Sequence, residues 1–248
     1  MKRLTTIAIA TTLLMLLPLL AGAEGLPSIT VGVGQAADPG QTSTALQILL
    51  MLTVLSMAPA ILLMTTAFIR IVVVLSFVRQ AMGTQQMPPN QIIIGLALFL
   101  TFFVMAPVFT QVNENALQPY LDKKISQEQA LTEAVIPMRK FMFKQTKEKE
   151  LGLLMEIAGQ PAPKNMEDVP TMTLIPAFML SELKRAFQIG FMVYIPFLVV
   201  DMVVASVLMS MGMMMLPPVI ISLPFKLLLF VLVDGWNLIV SSLVQSFL

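Results

Sequence analysis

Methionine sulfur is the most concentrated chemical group in this 248-residue sequence, and it gathers in one place. Five of the seven residues from position 209 to 215 are methionines, namely Met209, Met211, Met213, Met214 and Met215. The thioether side chain is unbranched and polarizable, so several copies around an axis can close on one another and deform around a passing chain. Gly212, Pro217 and Pro218 predict that the backbone leaves a helix there, which a membrane tolerates only beside a cavity or inside protein. One interpretation of the cluster is therefore a deformable seal at the tip of a helical hairpin.

Two other interpretations of the methionine cluster stay open on these residues alone. Methionine often fills a hydrophobic core and has no further role. Thioethers are also soft ligands, and a site made only of methionine would select copper(I). The sequence contains no His and no Cys that could complete such a site, so we predict no bound metal.

Charged residues within apolar sequence are the second group that could carry chemistry. Asp201 and Asp234 lie in otherwise apolar stretches. Glu182 and Arg185 are three positions apart, which places them on one helical face where they can pair. An ion at the centre of a membrane helix costs roughly 2.5 to 3.5 kcal/mol, so such residues indicate contacts between helices or subunits, or an ion path. The alternative is that most of these charged residues anchor helix ends at the membrane interface, and that one acid is hydrogen-bonded by its immediate neighbours.

Composition excludes most classes of enzyme. Without Cys and His the sequence lacks disulfides, thiolate or imidazole metal sites, and the catalytic arrangements built on these side chains. It also lacks a phosphate-binding loop of the G-x-x-x-x-G-K-[ST] type. A formal net charge of +1 leaves no basic excess for nucleic acid. We predict a protein that is not an enzyme, has no cofactor and binds no nucleic acid.

Hydropathy predicts an all-α membrane protein, because 57% of the residues are hydrophobic, 12% are charged and the mean hydropathy is +0.86. Four apolar stretches have about the length that a helix needs to cross a bilayer: Ala45–Ile69, Ile92–Phe109, Ala186–Leu208 and Phe225–Leu248. Charged residues concentrate between positions 114 and 185. We predict two long kinked helical hairpins, residues 45–110 and 171–248, on either side of a polar, helical, extracytoplasmic insertion, residues 111–170.

The N-terminal residues have the three parts of a secretory signal peptide. Lys2 and Arg3 precede an apolar core, and Ala21-Gly22-Ala23 ends it. We expect residues 1–23 to be cleaved after Ala23, which leaves residues 24–44 as an extended segment outside the cytoplasm. An uncleaved first membrane helix is the alternative.

Basic residues and prolines predict the orientation and the bends of the hairpins. The connector with Arg70 and Arg79 contains no acid and is expected on the cytoplasmic side, with Lys226 at the cytoplasmic edge of the second connector. The apolar run from 45 to 78 is too long for a bilayer, so we expect it to tilt, to kink at Pro59 or to project into an assembly. Further kinks are expected in the second hairpin at Pro176 and Pro196.

The insertion has the signals of two helices. Ser126 with Gln129 three residues later predicts a helix start, and Gly159 predicts a stop. Its apolar positions include Phe141 and Leu154, which need a partner surface, either another subunit or the hairpins.

Several long motifs resemble one known family. They are Arg70–Gln80 (RIVVVLSFVRQ), Met87–Gln91 (MPPNQ), Phe187–Phe191 (FQIGF), Met211–Pro218 (MGMMMLPP), Leu223–Lys226 (LPFK) and Val233–Trp236 (VDGW). In this order, and across essentially the whole mature chain, they are similar to the FliP family of type III export-gate proteins, which flagella share with the R-type proteins of injectisomes. The predicted signal peptide favours the flagellar branch.

The resemblance implies an inner-membrane protein of the flagellar basal body. Several copies, in a pentamer-like arrangement, are implied to join FliQ and FliR in a helical, cone-like pore, near FlhB, FlhA and FliO. Unfolded flagellar proteins are the implied cargo, and part of the complex is implied to be held above the bilayer on the periplasmic side.

The resemblance also implies roles for particular residues. The family's methionine gate falls on Met213, Met214 and Met215, with Met209 and Met211 beside it. Contacts between copies are implied at Phe141, Leu154 and Glu182. We expect Arg185 to take part in these contacts as well, because it is expected to pair with Glu182. The expected loop or hinge residues are Pro88, Pro89, Gly212, Pro217 and Pro218.

The resulting hypothesis is a pore-forming subunit that passes unfolded flagellar proteins across the inner membrane and is sealed by its methionine-rich loop. A small-solute or copper(I) transporter and a purely structural membrane scaffold are the alternatives.

Overall fold

A computed structural model describes residues 39–84, 87–161, 163, 165–213 and 215–247. The predicted signal peptide, most of the 24–44 segment and Met214 lie outside the described residues. The chain divides into two compact units, Met1–Thr53 and Val54–Leu248, and the contacts described below lie within the second.

The described part of the chain is helical throughout and contains no strand, which confirms the all-α prediction. Its helices are α1 (Pro39–Met64), α2 (Phe68–Ala81), α3 (Asn90–Val112), α4 (Gln118–Leu121), α5 (Gln127–Gln145), α6 (Glu148–Ile157), α7 (Thr171–Ser210), α8 (Pro218–Leu232) and α9 (Gly235–Gln245). A π-helical turn, Asn113–Leu117, joins α3 to α4, and a 3-10 turn, Met166–Asp168, precedes α7.

Up to four segments are long and apolar enough to cross a membrane, in agreement with the four apolar stretches of the sequence. Two are continuous helical segments, Asn90–Leu121 and Thr171–Ser210. The other two are bent pairs of helices, α1 with α2 at 63° and α8 with α9 at 64°. α7 has 40 residues and is about 60 Å long. It begins at Thr171, well before the predicted apolar stretch Ala186–Leu208.

The breaks in the two bent pairs do not fall at prolines. Pro59 lies inside α1, and the break comes later, at residues 65–67. There the hydroxyl and the N–H of Thr65 both donate to the carbonyl of Ile61, at 2.9 and 3.0 Å. In the second hairpin α7 continues through Pro176 and Pro196, so the bends expected there do not interrupt the helix and stay predictions.

Asp234 lies at the bend between α8 and α9, near the middle of the bent pair that these two helices form. Its φ of 51° is left-handed, a conformation that aspartate tolerates better than most residues. Its carbonyl accepts the N–H of Leu238 at 3.2 Å and so begins α9. A side chain at Gly235 would lie 2.4 Å from the Phe230 ring, so only glycine lets α9 fold back this closely.

Helix α2 is the centre of the hydrophobic core. Its fully buried apolar residues recur at intervals of three and four, the spacing of one helical face, and are Ile71, Val74, Leu75, Val78 and Ala81, with Ala67 at the N-cap before them. α3 and α7 pack against that face through Ile93, Ala97 and Ala186. Much of the apolar surface of α7 and α8 remains exposed, so this core covers only one side of the second hairpin.

The insertion folds as the capping signals predicted. Ser126 accepts the N–H of Gln129 at 3.3 Å, and the Gln129 side chain accepts the N–H of Ser126 at 3.1 Å, which forms a capping box at the start of α5. Gly159, with φ of 64°, ends α6. The insertion packs against the beginning of α7 through a second cluster that includes Met142, Met155 and Phe178. The hairpin therefore supplies at least part of the partner surface that its apolar residues need.

Gly190 sets the spacing between α2 and α7, because a Cβ there would lie 2.5 Å from the Phe77 ring. We expect Gly190→Ala to destabilise the chain by about 1–3 kcal/mol, since the two packed helices must shift. The measurement is thermal unfolding in detergent. Gly95→Ala in α3 is the matched control, because no atom lies within 4 Å of its new Cβ and helix propensity alone favours alanine by about 1 kcal/mol. Equal unfolding temperatures for the two variants would contradict the close crossing.

Candidate functional site

The methionine cluster lies at the tip of the hairpin formed by α7 and α8. α7 ends at Ser210, and Gly212 follows with φ of 76°. The N–H of Met213 donates to the carbonyl of Leu208 at 3.0 Å, and that of Gly212 to the carbonyl of Met209 at 3.1 Å. This Schellman pattern satisfies the last carbonyls of α7 and turns the chain away from the helix axis.

The prolines complete the turn. Pro217 caps α8 and Pro218 is its first residue, a position where proline's missing N–H costs nothing. The backbone therefore leaves the helix at Gly212 and re-enters one at Pro217 and Pro218, as the sequence predicted.

Four methionine side chains of the tip are described, and all four are exposed. Met209, Met211, Met213 and Met215 are exposed, from 37% at Met213 to 98% at Met215. These four methionines therefore do not fill the hydrophobic core of their own chain. An exposed apolar patch of this kind marks an interaction surface.

The stem of the hairpin is held by an ion pair between Asp201 of α7 and Lys226 of α8. The Lys226 ammonium donates to the Asp201 carboxylate at 2.6 Å, and the Ser222 hydroxyl donates to its other oxygen. Lys226 and Ser222 are buried. Lys226 therefore does not lie at the edge of a connector, as its charge suggested, but inside the helix pair. Asp201 is an acid satisfied by its neighbours.

The second buried ion pair joins Arg70 of α2 to Glu182 of α7. Both side chains are fully buried. The Nε of Arg70 donates to Oε2 of Glu182 at 2.9 Å, and one Nη donates to Oε1. This fork-to-fork geometry is the strongest form that a salt bridge takes.

The remaining donors of Arg70 are also used. Nη1 donates to the carbonyl and hydroxyl oxygens of Ser246 at 2.8 and 2.9 Å, and Nη2 donates to Oε1 of Gln145 at 2.9 Å. The ring of Phe247 lies 3.8 Å from the guanidinium carbon. All five N–H donors of this arginine thus have acceptors, supplied by α5, α7 and the residue that follows α9.

These contacts correct two predictions. Arg70 is not a solvent-facing positive charge, so it carries no information on which side of the membrane the first connector lies. Glu182 does not pair with Arg185, because both its oxygens accept from Arg70. Arg185 donates instead to Oε1 of Gln145 at 2.7 Å. One signal could have located this site, because a single arginine within the apolar run 67–78 requires a buried partner.

The other expected contact residues lie near this ion pair. Phe141 packs edge-to-face on Phe178, with ring centroids 5.9 Å apart, and stacks on Phe247 at 6.5 Å. Leu154 is half-buried on α6. These contacts are within one chain, so the roles of Phe141, Leu154 and Glu182 between copies stay predictions.

The first connector is held by polar contacts. Nη1 of Arg79 donates to Oδ1 of Asn90 at 2.5 Å and to the carbonyl of Pro88 at 3.3 Å. Pro89 caps the start of α3. The expected hinge residues Pro88 and Pro89 therefore lie in a turn that ends directly at a helix.

A third ion pair joins the insertion to α7. The ammonium of Lys184 donates to Oε1 of Glu150 at 2.7 Å, and this hydrogen bond holds the pKa of Glu150 below its usual value. The other carboxylate oxygen, Oε2, is buried and accepts no hydrogen bond from the described residues. Within the described part of the chain, no group of three or more His, Cys, Asp or Glu side chains could hold a metal ion.

The helices, the ion pairs buried between them and the exposed methionine tip define a helical protein with up to four candidate membrane spans. Residues 51–243 match the FliP family. The chain belongs to the FliP family, which confirms the resemblance of its motifs.

Named relatives cover most of the chain. The flagellar biosynthetic protein FliP of Bacillus subtilis is 60% identical over 217 residues, which are 88% of this chain and 98% of the relative. The protein of the same name from Caulobacter vibrioides is 50% identical over 232 residues, 94% of this chain and 86% of the relative. That of Aquifex aeolicus is 50% identical over 224 residues, 90% and 92% of the two chains.

Removing the charge of Glu182 leaves Arg70 buried without its counter-ion. We expect Glu182→Gln to lower the free energy of unfolding by about 3–5 kcal/mol. The measurement is unfolding by added SDS in mixed micelles. Asp122→Asn is the control, because the Asp122–Lys124 pair is exposed and should contribute less than about 1 kcal/mol. Similar losses in the two variants would rule out a structural role for the buried pair.

The Glu150–Lys184 pair predicts a pH dependence. The pKa of Glu150 is lower in the folded chain than in the unfolded chain. The ionised Glu150 therefore stabilises the fold fully above the pKa of the unfolded state, and this stabilisation is lost as the pH falls through the pKa of the folded state. We expect hydrogen-exchange protection of α6 to decline over that acidic range in the unaltered chain, and to decline less in Glu150→Gln. Glu156→Gln, which changes an exposed acid on the same helix, should keep the original profile. Identical profiles for all three chains would contradict the assignment.

Proposed function

We propose that this chain is a pore-forming subunit of the flagellar type III export gate, passing unfolded flagellar proteins across the inner membrane. Several copies in a pentamer-like arrangement, together with FliQ and FliR, surround the conduit. FlhB, FlhA and FliO are neighbours in the basal body, and part of the complex is held on the periplasmic side of the bilayer. The family membership and the relatives named flagellar biosynthetic proteins support this proposal.

The observation that carries the proposal is the exposed methionine tip on a fixed stem. The Asp201–Lys226 pair holds α7 and α8 together below the tip, and the Schellman turn fixes where the chain leaves α7. Beyond that point the side chains of Met211, Met213 and Met215 are exposed and belong to no core of their own chain. Soft, unbranched side chains from several copies can then pack together and exclude ions at rest.

The mechanism needs no catalytic group. A polypeptide that enters the conduit displaces the thioethers, which have three rotatable bonds and adapt to side chains of different shape. The side chains close again when the polypeptide has passed. Met213, Met214 and Met215 form the seal, with Met209 and Met211 on its flank, and the energy for transport comes from other components.

Shortening the seal should open it to ions. We expect Met213→Ala, Met214→Ala and Met215→Ala, combined in one chain, to increase ion leak across the inner membrane while the chain still assembles with its partners. The measurement is membrane potential in cells that express the variant, with co-purification as the assembly readout. Met166→Ala with Met172→Ala is the control, because both are exposed methionines in or beside the insertion.

Unchanged conductance in the triple variant would refute the seal and favour a structural scaffold. Stoichiometric copper(I) on the unaltered chain, lost in the triple variant, would favour the metal transporter instead.

A further inference from the structure

Asp234, at the bend between α8 and α9, is an exposed acid within apolar surface. Its own side chain is exposed in the single chain. The apolar side chains beside it along the sequence are exposed as well, Leu232 to 76%, Val233 and Leu238 to 54%, and Trp236 to 40%. The bend therefore presents one negative charge in the middle of an apolar patch.

Contacts within the chain do not account for this charge. One carboxylate oxygen of Asp234 accepts from the side-chain amide of Asn237 at 3.2 Å. Asp234 is the N-cap residue of α9, but its side chain accepts no N–H of that helix. None of the ion pairs among the described residues includes it. Asp201, by contrast, accepts from both Lys226 and Ser222.

Neither lipid nor water suits this surface. In lipid, the ionised carboxylate would lose its solvation, and a helix broken by a 64° bend is tolerated only where protein or a water-filled cavity covers it. In water, the apolar side chains around Asp234 form a patch of the kind that marks an interaction surface. A protein surface that is apolar and carries one positive charge satisfies both demands, whatever the depth of the bend relative to a bilayer.

A cavity of about 230 Å³ lies beside the bend. The ring of Trp236 packs edge-to-face on Phe230, with the ring centroids 5.3 Å apart, so its orientation is fixed. A fixed tryptophan at the border of an apolar cavity is a typical anchor point for a partner chain, and its ring also attracts cations. Trp236 lines the cavity together with apolar residues of α2, the first connector and α3, which are Leu75, Pro88, Ile92, Ile93 and Leu96.

We infer that the bend from Val233 to Trp236 is a docking site for a helix of a different protein, one that is apolar and carries a single Arg or Lys. The base donates to the carboxylate of Asp234. Apolar side chains on either side of the base cover Val233 and Leu238, and one of them enters the cavity beside Trp236. The site does not depend on the proposed export function, because only the exposed acid and the patch around it define it.

A second copy of this chain does not supply such a helix from its described residues. Lys184 is the one exposed base on α2, α7 and α8, and it pairs with Glu150. The other bases of these three helices are buried or half-buried, and they are Arg70, Arg79, Arg185 and Lys226. α1, α3 and α9 contain no base.

The test uses Trp236 as its own reporter, because it is the single tryptophan of the sequence. The full-length chain is reconstituted in phosphatidylcholine vesicles and titrated with synthetic transmembrane helices of leucine and alanine that carry a fluorescence acceptor. Three peptides differ only in a central Arg, Gln or Glu. Binding is measured as energy transfer from Trp236. We expect the Arg peptide to bind about tenfold more tightly than the Gln peptide, and the Glu peptide to bind least.

Four variants separate the contributions. Asp234→Asn keeps the shape of the side chain and the tolerance for left-handed backbone, so it should bind the Arg and Gln peptides equally. Asp234→Lys should favour the Glu peptide, and lysine already has a left-handed backbone at Lys123. Leu238→Gln should weaken the Arg and Gln peptides alike and keep their ratio. Glu156→Gln removes an exposed acid from α6 and should have no effect.

Equal binding of the Arg and Gln peptides by the unaltered chain would overturn the inference, and so would the absence of binding by all three. A preference for the Arg peptide that persisted in Asp234→Asn would place the cation elsewhere and overturn it as well. If Asp234→Asn changed ion flux through the vesicles and left peptide binding the same, the acid would face a water-filled path and the docking site would be wrong.

Discussion

The buried guanidinium of Arg70 is the constraint around which this fold is arranged. An arginine cannot lose its charge at any accessible pH, so burying it requires acceptors for five donors in fixed directions. Glu182, Gln145 and Ser246 supply them, from three elements that are far apart in sequence. Hydrophobic contacts alone would tolerate some sliding of these helices. The directional bonds to Arg70 fix the register of α2 against α7 and attach the insertion and the residues after α9 to the same point.

This arrangement divides the second hairpin into two regions with different properties. The first half of α7 carries Glu182 and Gly190 and is held to α2 by an ion pair and a close helix crossing. The second half pairs with α8, through the Asp201–Lys226 ion pair and the ring contact between Phe197 and Phe230, and much of its remaining apolar surface is exposed. The methionine tip extends from this second region. The uncovered faces of this second region are surfaces that other chains could cover if the proposed assembly forms.

Local features were predictable from sequence, and long-range ones were not. The capping box at Ser126, the helix stop at Gly159 and the exit from α7 at Gly212 each depend on a few adjacent residues, and the structure has all three. The pairing of Arg70 with Glu182 joins residues 112 positions apart, so no spacing rule reveals it. The i, i+3 rule suggested Arg185 instead, because it counts neighbours on one helix and ignores the helix packed against it. The break after α1 falls at residues 65–67 and not at Pro59, which lies inside the helix.

Coordination of Arg70 by Ser246 has a consequence for biosynthesis. The two residues are separated by 176 positions, so at about 5–20 residues per second the ribosome makes Ser246 roughly 10 to 35 s after Arg70. During this interval the nascent chain contains a guanidinium in apolar sequence that lacks two of its final acceptors. The first hairpin therefore cannot settle into its finished environment while synthesis continues, and water, lipid headgroups or an insertion factor must solvate the charge until the last helix arrives.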